Sequence, residues 1–183
     1  MPSNNFPSYR GALRLLKDTG CDDRLIKHVK AVARYAVEIA KSRGDADVEL
    51  VRIGALLHDI GRCRTNGVDH GVIGGKLLRS YGVDERIAQI AEKHVGAGIT
   101  APEAAELRFP QGHYVPKTLE EKIVAAVDNL TEGTRRVTIE KAEADFRAKL
   151  EGHPAARRIR NLHDEVFGKH NLSSGTPWDS SKL

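Results

Sequence analysis

The sequence predicts an all-α protein, a single domain built as a helical bundle, and three observations predict it. Apolar residues recur at three- and four-residue steps along most of the chain, which is the spacing of one helix face. No stretch of any length alternates with the period of two that a half-buried strand requires. Hydrophobic residues make up 40% and charged residues 30% of 183, while aromatics are only 5%, the balance of a soluble helical protein rich in alanine and leucine. That length supplies one well-buried core and is short for two.

Each element follows from a start signal, an apolar face and a stop. A first helix is expected from about Ser8 to Lys17, carrying Leu13, Leu15 and Leu16 and ending at Gly20. The second starts on Asp22 or Asp23 as N-cap and runs to Ser42, with Leu25, His28, Val29, Val32, Ala36 and Ile39 on one face. The third spans Asp47 to about Asp59, with His58 and Asp59 in its last turn and Gly61 as its stop. Asp69 caps a fourth, in which His70, Ile73, Gly74, Leu77 and Leu78 share a face, and Asp84 opens a fifth that aligns Ile87, Ile90, Ala91 and His94. From Ile99 to Pro116 the pattern is irregular apart from one short helix over Glu103–Arg108, so this connection is a candidate lid, with His113 and Tyr114 to cover a small ligand. Thr118 with Glu121 forms a capping-box signature before the helix that carries Asp128. Helices around Glu140–Leu150 and Pro154–Phe167 complete the chain. The expected organisation is an N-terminal segment over 1–20, a core over 21–135, C-terminal helices of the same domain over 136–170 and a loose tail over 171–183.

Composition also excludes functions. No stretch approaches the roughly 18 apolar residues of a membrane span, and Met1–Arg10 is polar with two prolines, unlike a secretory signal. A cytoplasmic location is expected. Cys21 and Cys63 are too few and too separate for a disulfide framework or a thiolate metal knuckle, and both read as free thiols. Ser181-Lys182-Leu183 matches a peroxisomal address, a three-residue match with a high chance rate. The net charge of +4 sits largely toward the C-terminal end, at Arg135, Arg136, Arg157, Arg158, Arg160 and Lys169. Interleaved Glu140, Glu143, Asp145 and Glu151 make this a solvated helical surface rather than a nucleic-acid footprint, and no aromatic residues accompany the arginines to stack bases.

Chemistry is concentrated in His28, His58, Asp59 and Asp128, ionisable side chains set among alanine, valine, leucine and isoleucine. Such groups cost several kcal/mol (order of magnitude) in apolar surroundings unless something replaces their hydration. A divalent cation does so, and a helical bundle lets side chains from separate helices converge on one. Imidazole with carboxylate suits Mn, Fe, Ni, Co or Zn, and suits Mg less well. His70 and His94 extend the set toward a second ion that Asp59 would bridge.

These residues stand in RLIKHVKAVARYAVEIA, ALLHDIGR, DHGVIGGKLL, EKHVGAGIT and EKIVAAVDNL. In this ordered series the chain resembles the HD-domain superfamily of metal-dependent phosphohydrolases in its HDIG form, over roughly Asp22 to Thr131. HVGAGIT and TLEEKIVAAVDNL resemble, more narrowly, small stand-alone archaeal HD proteins. The resemblance implies an HD-type helical bundle, a metal site of His28, His58, Asp59 and Asp128, one or two ions, and hydrolysis of phosphomonoesters or phosphodiesters. The branch that cleaves cyclic-di-GMP carries a glutamate one turn before the first histidine and paired histidines at the last. Here Arg24 and Lys93-His94 stand at those places, so that substrate is not expected.

A divalent ion in such a site makes water nucleophilic near neutral pH and polarises a phosphoryl oxygen. Asp59 then orients the water, while Lys93 or a non-ligating His94 protonates the leaving oxygen. Arg62, Arg64, Arg135 and Arg136 are the candidate clamps for phosphate, because guanidinium offers paired donors. The expected substrate is a small nucleotide-like or cyclic-phosphate metabolite. A nuclease or nucleic-acid phosphatase is the alternative enzyme, and a metal- or nucleotide-binding regulator without turnover the alternative class. The glycine-rich face of Gly71–Leu78 suits close packing on its own core or on a second copy.

Overall fold

A computed structural model describes residues 6–149 and 155–168. Leu150, Glu151, Pro154, Lys169 and the tail over 171–183, with its Ser181-Lys182-Leu183, lie outside the described residues. The chain is helical as expected: α1 (Tyr9–Asp18), α2 (Asp23–Arg43), α3 (Val48–Leu57), α4 (His70–Ser80), α5 (Glu85–Lys93), α6 (Ala101–Glu106), α7 (Leu119–Asn129), α8 (Ile139–Lys149) and α9 (Ala155–Phe167). Among the described residues no helix is long and apolar enough to cross a membrane.

Helix α3 is the axis of the bundle. Its residues Leu50, Val51, Ile53, Ala55, Leu56 and Leu57 are all buried, and it packs on α1, α2, α5 and α7. At roughly 1.5–3 kcal/mol for each large aliphatic side chain taken out of water, this burial fixes where α3 ends, and its end carries His58. Helix α2 starts where Asp22 accepts from the Leu25 amide at 2.7 Å and stops at Gly44, which is left-handed with φ 76°. Its inner face, Val29, Val32, Ala36 and Ile39, lies against α3 and α7.

Three local expectations need correction. Gly61 does not stop α3; the helix ends at Leu57, and Gly61 sits inside a 3-10 turn over Ile60–Cys63. The glycine serves close approach instead, since a Cβ there would lie 1.9 Å from the His70 carbonyl oxygen. Asp69 occupies the N-cap position of α4 but does not cap it, because its Oδ1 accepts from the Thr65 hydroxyl at 3.1 Å. The short helix in the 99–116 connection starts earlier than expected, at Ala101, because Thr100 and Glu103 close a capping box with proline in the first turn.

A short antiparallel hairpin, β1 (Thr131–Glu132) and β2 (Arg135–Arg136), links α7 to α8, a feature too brief to leave a period-two signal. Helix α4 lays its glycine face on α5: a Cβ at Gly71 would meet the Ala91 carbonyl at 2.9 Å, and one at Gly75 would meet the Glu92 side chain. That face therefore packs on the protein's own core. Three of the C-terminal arginines are engaged as well. Arg158 pairs with Glu103 at 2.8 Å, Arg160 with Glu143 at 2.8 Å and Glu140 at 3.3 Å, and Arg136 with Glu38.

Candidate metal centre

Four imidazoles meet where α2, α3, α4 and α5 converge, and each is aimed by a backbone carbonyl. The Nδ1 of His58 lies 2.7 Å from the Ala55 oxygen, that of His94 2.7 Å from Ala91, that of His70 2.8 Å from Gly67 and that of His28 2.8 Å from Gly133. A carbonyl oxygen only accepts, so each Nδ1 carries the proton and donates it. In the neutral ring Nε2 is then left with its lone pair, the arrangement that orients a metal-binding histidine. The geometry is local for three of them. His58 and His94 sit just past the ends of α3 and α5, where the carbonyl three residues earlier lacks a helical partner. His28, in the middle of a helix, takes its carbonyl from the hairpin after α7.

The four Nε2 atoms surround two carboxylates. Asp128 Oδ1 is 3.0 Å from Nε2 of His28 and 3.4 Å from Nε2 of His58. Asp59 divides its oxygens: Oδ1 lies 3.2 Å from Nε2 of His70 and 3.3 Å from that of His94, and Oδ2 lies 3.9 Å from both His28 and His58. Thus His28, His58 and Asp128 form one triad, and His58, Asp59 and His94 another, each with donor atoms close enough to share an ion.

The donor set fits a cation on two independent observations. His58 is fully buried, yet its Nε2 makes no hydrogen bond of acceptable geometry, and a buried polar atom without a partner costs about 1–3 kcal/mol. The Nε2 atoms of His70 and His94 face each other at 3.0 Å. With both Nδ1 protons committed to carbonyls, two lone pairs oppose each other there unless a proton or a cation lies between them.

Charge states follow from the same neighbours. Burial disfavours a charged His58, but Asp128 and Asp59 outweigh burial and push its pKa up to about 9. His28 is likewise raised, burial being overcome by the hydrogen bond and charge of Asp128. Burial works against an ionised Asp128, but His58 and His28 hold it well below the usual carboxylate range, and His58, His70 and His94 do the same for Asp59. His94 moves the other way, lowered by burial.

The cluster forms the floor of a cavity of about 790 Å³. Its walls come from the α1–α2 turn at Cys21 and the start of α2 at Arg24, the 3-10 turn at Arg62 and Cys63, and the inner side of α8 at Phe146 and Lys149. The Phe146 ring packs over Gly96, which is left-handed with φ 60° and whose Cβ would strike the ring at 2.8 Å. Neither the periodicity nor the charge pattern pointed to Arg24, Phe146 or Lys149 as part of a site. Arg24 enters from α2, one turn before His28, and Phe146 and Lys149 are brought in by the return of α8 over the cavity, which the sequence does not encode locally.

The structure brings together all six of the proposed ligand residues and separates several of the proposed helpers. Lys93 is buried facing away from the cavity, its Nζ 2.6 Å from Glu121 Oε1 and 3.0 Å from Gln89 Oε1, so it is not placed to donate to a leaving group. His94 points its Nε2 at Asp59 and His70 and is not free in the cavity as an acid. Arg62 lines the cavity with its Nε 3.0 and 2.9 Å from the two Asp59 oxygens. Arg64 and Arg135 do not line it. Arg136 is turned onto Tyr35, its guanidinium carbon 3.7 Å from the ring centroid, and pairs with Glu38. The 99–116 connection is not a lid on this cavity. Ile99, Ala104 and Tyr114 form a separate small core with Val72, and the Tyr114 hydroxyl donates to the Pro110 carbonyl at 2.8 Å.

A family model described as the HD domain matches residues 25–133, a span that holds all six ligand candidates. An uncharacterized protein of Methanocaldococcus jannaschii is 50% identical over 163 residues, covering 86% of this chain and 96% of that protein. A tRNA (cytidine(56)-2'-O)-methyltransferase of Thermoplasma volcanium is 48% identical over 159 residues, but the chain spans only 46% of its length. The HD domain of the phosphodiesterase PgpH of L. monocytogenes, solved in complex with cyclic-di-AMP, superposes with a TM-score of 0.57 at 19% identity, over 91% of this chain and 99% of that one. At that identity the likeness is one of fold.

Proposed function

This chain belongs to the HD-domain family, and from that premise we propose that it is a metal-dependent phosphoric ester hydrolase acting on a small nucleotide-like substrate. The observation that carries the proposal is the common orientation of His28, His58, His70 and His94, each with Nδ1 on a carbonyl and Nε2 turned to Asp59 or Asp128. His28, His58, Asp59 and Asp128 would hold one divalent ion. His70 and His94, with the other oxygen of Asp59, would hold a second. Bound there, a transition-metal ion supplies acidified water and neutralises charge on a phosphoryl oxygen.

The chain's own residues do the rest. Asp59 is fixed by Arg62, and its two oxygens face the two halves of the cluster, so it sets the separation and orientation of whatever binds between them. The terminal amino groups of Arg62, beyond the Nε that holds Asp59, would donate to a nonbridging phosphate oxygen. Neither of the two expected proton donors stands free, since Lys93 is held by Glu121 and His94 faces Asp59 and His70. Solvent entering the open cavity would then supply the leaving group's proton. The cavity volume lies in the range of sites for small ligands, roughly 300–1,000 Å³, and the pairing of Arg136, Arg158 and Arg160 with acids reduces the basic surface open to a polynucleotide. The nucleotide diester held by the PgpH domain is consistent with a ligand of that chemical class.

The test is to strip the protein of metal and reload it separately with Mn, Fe(II), Ni, Co, Zn and Mg. Each form is assayed on an aryl phosphate, an aryl phosphodiester and a nucleotide panel, beside Asp59→Ala. At least one metal is expected to restore turnover that the substitution abolishes. Equal inertness of the folded wild type and Asp59→Ala under every metal would make the protein a regulator that binds without turnover.

A further inference from the structure

Arg24 stands four residues before His28 on α2, one helical turn or about 5–6 Å along the axis, and lines the same cavity. Arg43, Arg52, Arg62, Arg79, Arg86, Arg136, Arg147, Arg158 and Arg160 all pair with carboxylates. Arg24 makes no such pair among the described residues, although Asp22, whose Oδ1 accepts from the Leu25 amide at 2.7 Å, is close in sequence. Lys149, at the last turn of α8, lines the cavity from another wall and also has no acidic partner among the described residues. The floor of the cavity already supplies a place for one phosphoryl group, at the cluster and Arg62. Two further cations without a carboxylate partner among the described residues line the same cavity, one a helical turn before His28 and the other on α8.

We propose that Arg24 and Lys149 form a second anion subsite, so that the substrate carries, besides the ester group at the cluster, a further phosphate. This rests on the reading of the cluster as a phosphoester site, and narrows the substrate from a phosphorylated metabolite to one bearing two separate phosphoryl groups. Guanidinium presents paired donors to phosphate and the ammonium a point charge, so Arg24 is the specificity-determining member and Lys149 the supporting one.

The test uses manganese-loaded full-length protein titrated calorimetrically with adenosine 5'-monophosphate and with adenosine 3',5'-bisphosphate, with aryl phosphate turnover measured in parallel. Wild type is expected to bind the bisphosphate at least tenfold more tightly. Arg24→Gln should remove that preference while leaving the monophosphate within twofold, and Lys149→Gln should remove part of it. Both residues are exposed, and unchanged melting temperatures certify the fold. Equal binding of the two nucleotides by wild type overturns the subsite, as does a preference that survives in Arg24→Gln. So does equal weakening of both nucleotides, which would put Arg24 on the first phosphate. Turnover of the aryl phosphate without a bisphosphate preference sinks the subsite alone. Absence of both turnover and binding sinks the hydrolase reading with it.

Discussion

Replacing Lys93 with methionine separates a structural from a catalytic role for the lysine next to His94. Its ammonium is the partner of Glu121 Oε1 at 2.6 Å, with side-chain exposures of 8% and 3% for the pair. Glu121 Oε2 is already committed, accepting from the Lys117 amide at 2.6 Å and the Thr118 amide at 3.2 Å. Methionine fills most of the same volume but leaves a buried carboxylate with one oxygen unpaired, a change that costs about 3–5 kcal/mol when one partner of a buried ion pair is removed. A crevice of about 190 Å³ beside Gln89, Thr118 and Glu121 admits water to the orphaned oxygen, which puts the cost near the lower end, about 3 kcal/mol. At roughly 2–4 °C per kcal/mol for a chain of this size, the melting temperature falls by about 6–12 °C. Glu121→Gln in the same chain keeps an acceptor for the two amides and removes the stranded charge, so the double variant regains more than half of the loss. Differential scanning calorimetry reads the stability, and turnover per folded molecule, measured at 20 °C well below both transitions, stays within about threefold of wild type. A Lys93→Met protein with an unchanged melting temperature and turnover reduced a hundredfold would refute this and return Lys93 to the role of proton donor.

Gly61→Ala places a Cβ 1.9 Å from the His70 carbonyl and 2.7 Å from the Gly74 amide nitrogen, backbone that cannot yield without parting the 3-10 turn from α4. A loss of about 3 kcal/mol or more is expected in urea unfolding, with weakened metal retention because the turn carries Asp59 toward His70. Tyr114→Ala, by contrast, lowers stability through the small core around Val72 yet leaves KM unchanged, and a raised KM would restore the 99–116 connection as a lid. The metal-free protein has a predictable pH profile. The raised pKa values of His58, to about 9, and of His28 contribute stability that is complete below the unfolded value near 6.5 and is lost as pH rises through about 9. The lowered His94 costs stability as pH falls below 6.5, and the lowered Asp59 and Asp128 lose theirs at still lower pH. Melting temperature in chelator therefore peaks near pH 6–6.5 and declines to pH 9, whereas metal, which binds only unprotonated Nε2, moves the peak upward. Identical profiles with and without metal would contradict the assignment.

Much of this was legible in the residues because it is local. Helix faces, the caps at Asp22, Asp47 and Thr118, and the inward set of the histidines all follow from spacing along one element. The imidazole orientation of His58 and His94 was also within reach, since a histidine just past a helix end finds the free carbonyl three residues back. What the sequence did not reveal joins residues far apart in the chain. Glu121 reads as half of a capping box, and only the fold shows its other oxygen holding Lys93, 28 positions away. His28 depends on the carbonyl of Gly133, 105 positions on, in a hairpin of two-residue strands. Arginines near the metal residues in sequence proved poor guides to the cavity wall. Arg64 follows Arg62 by two residues yet falls outside the cavity, while Phe146 and Lys149 enter because α8 folds back over it.

The central claim, that side chains from α2, α4 and α7 and from the ends of α3 and α5 hold divalent metal, is tested most directly by anomalous diffraction from zinc-loaded crystals at the zinc edge. One or two peaks are expected inside the cluster, about 2.0–2.2 Å from Nε2 of His28 and His58 and from oxygens of Asp59 and Asp128, the second lying toward His70 and His94. Peaks confined to the surface, or a cluster without any after full loading, would contradict it.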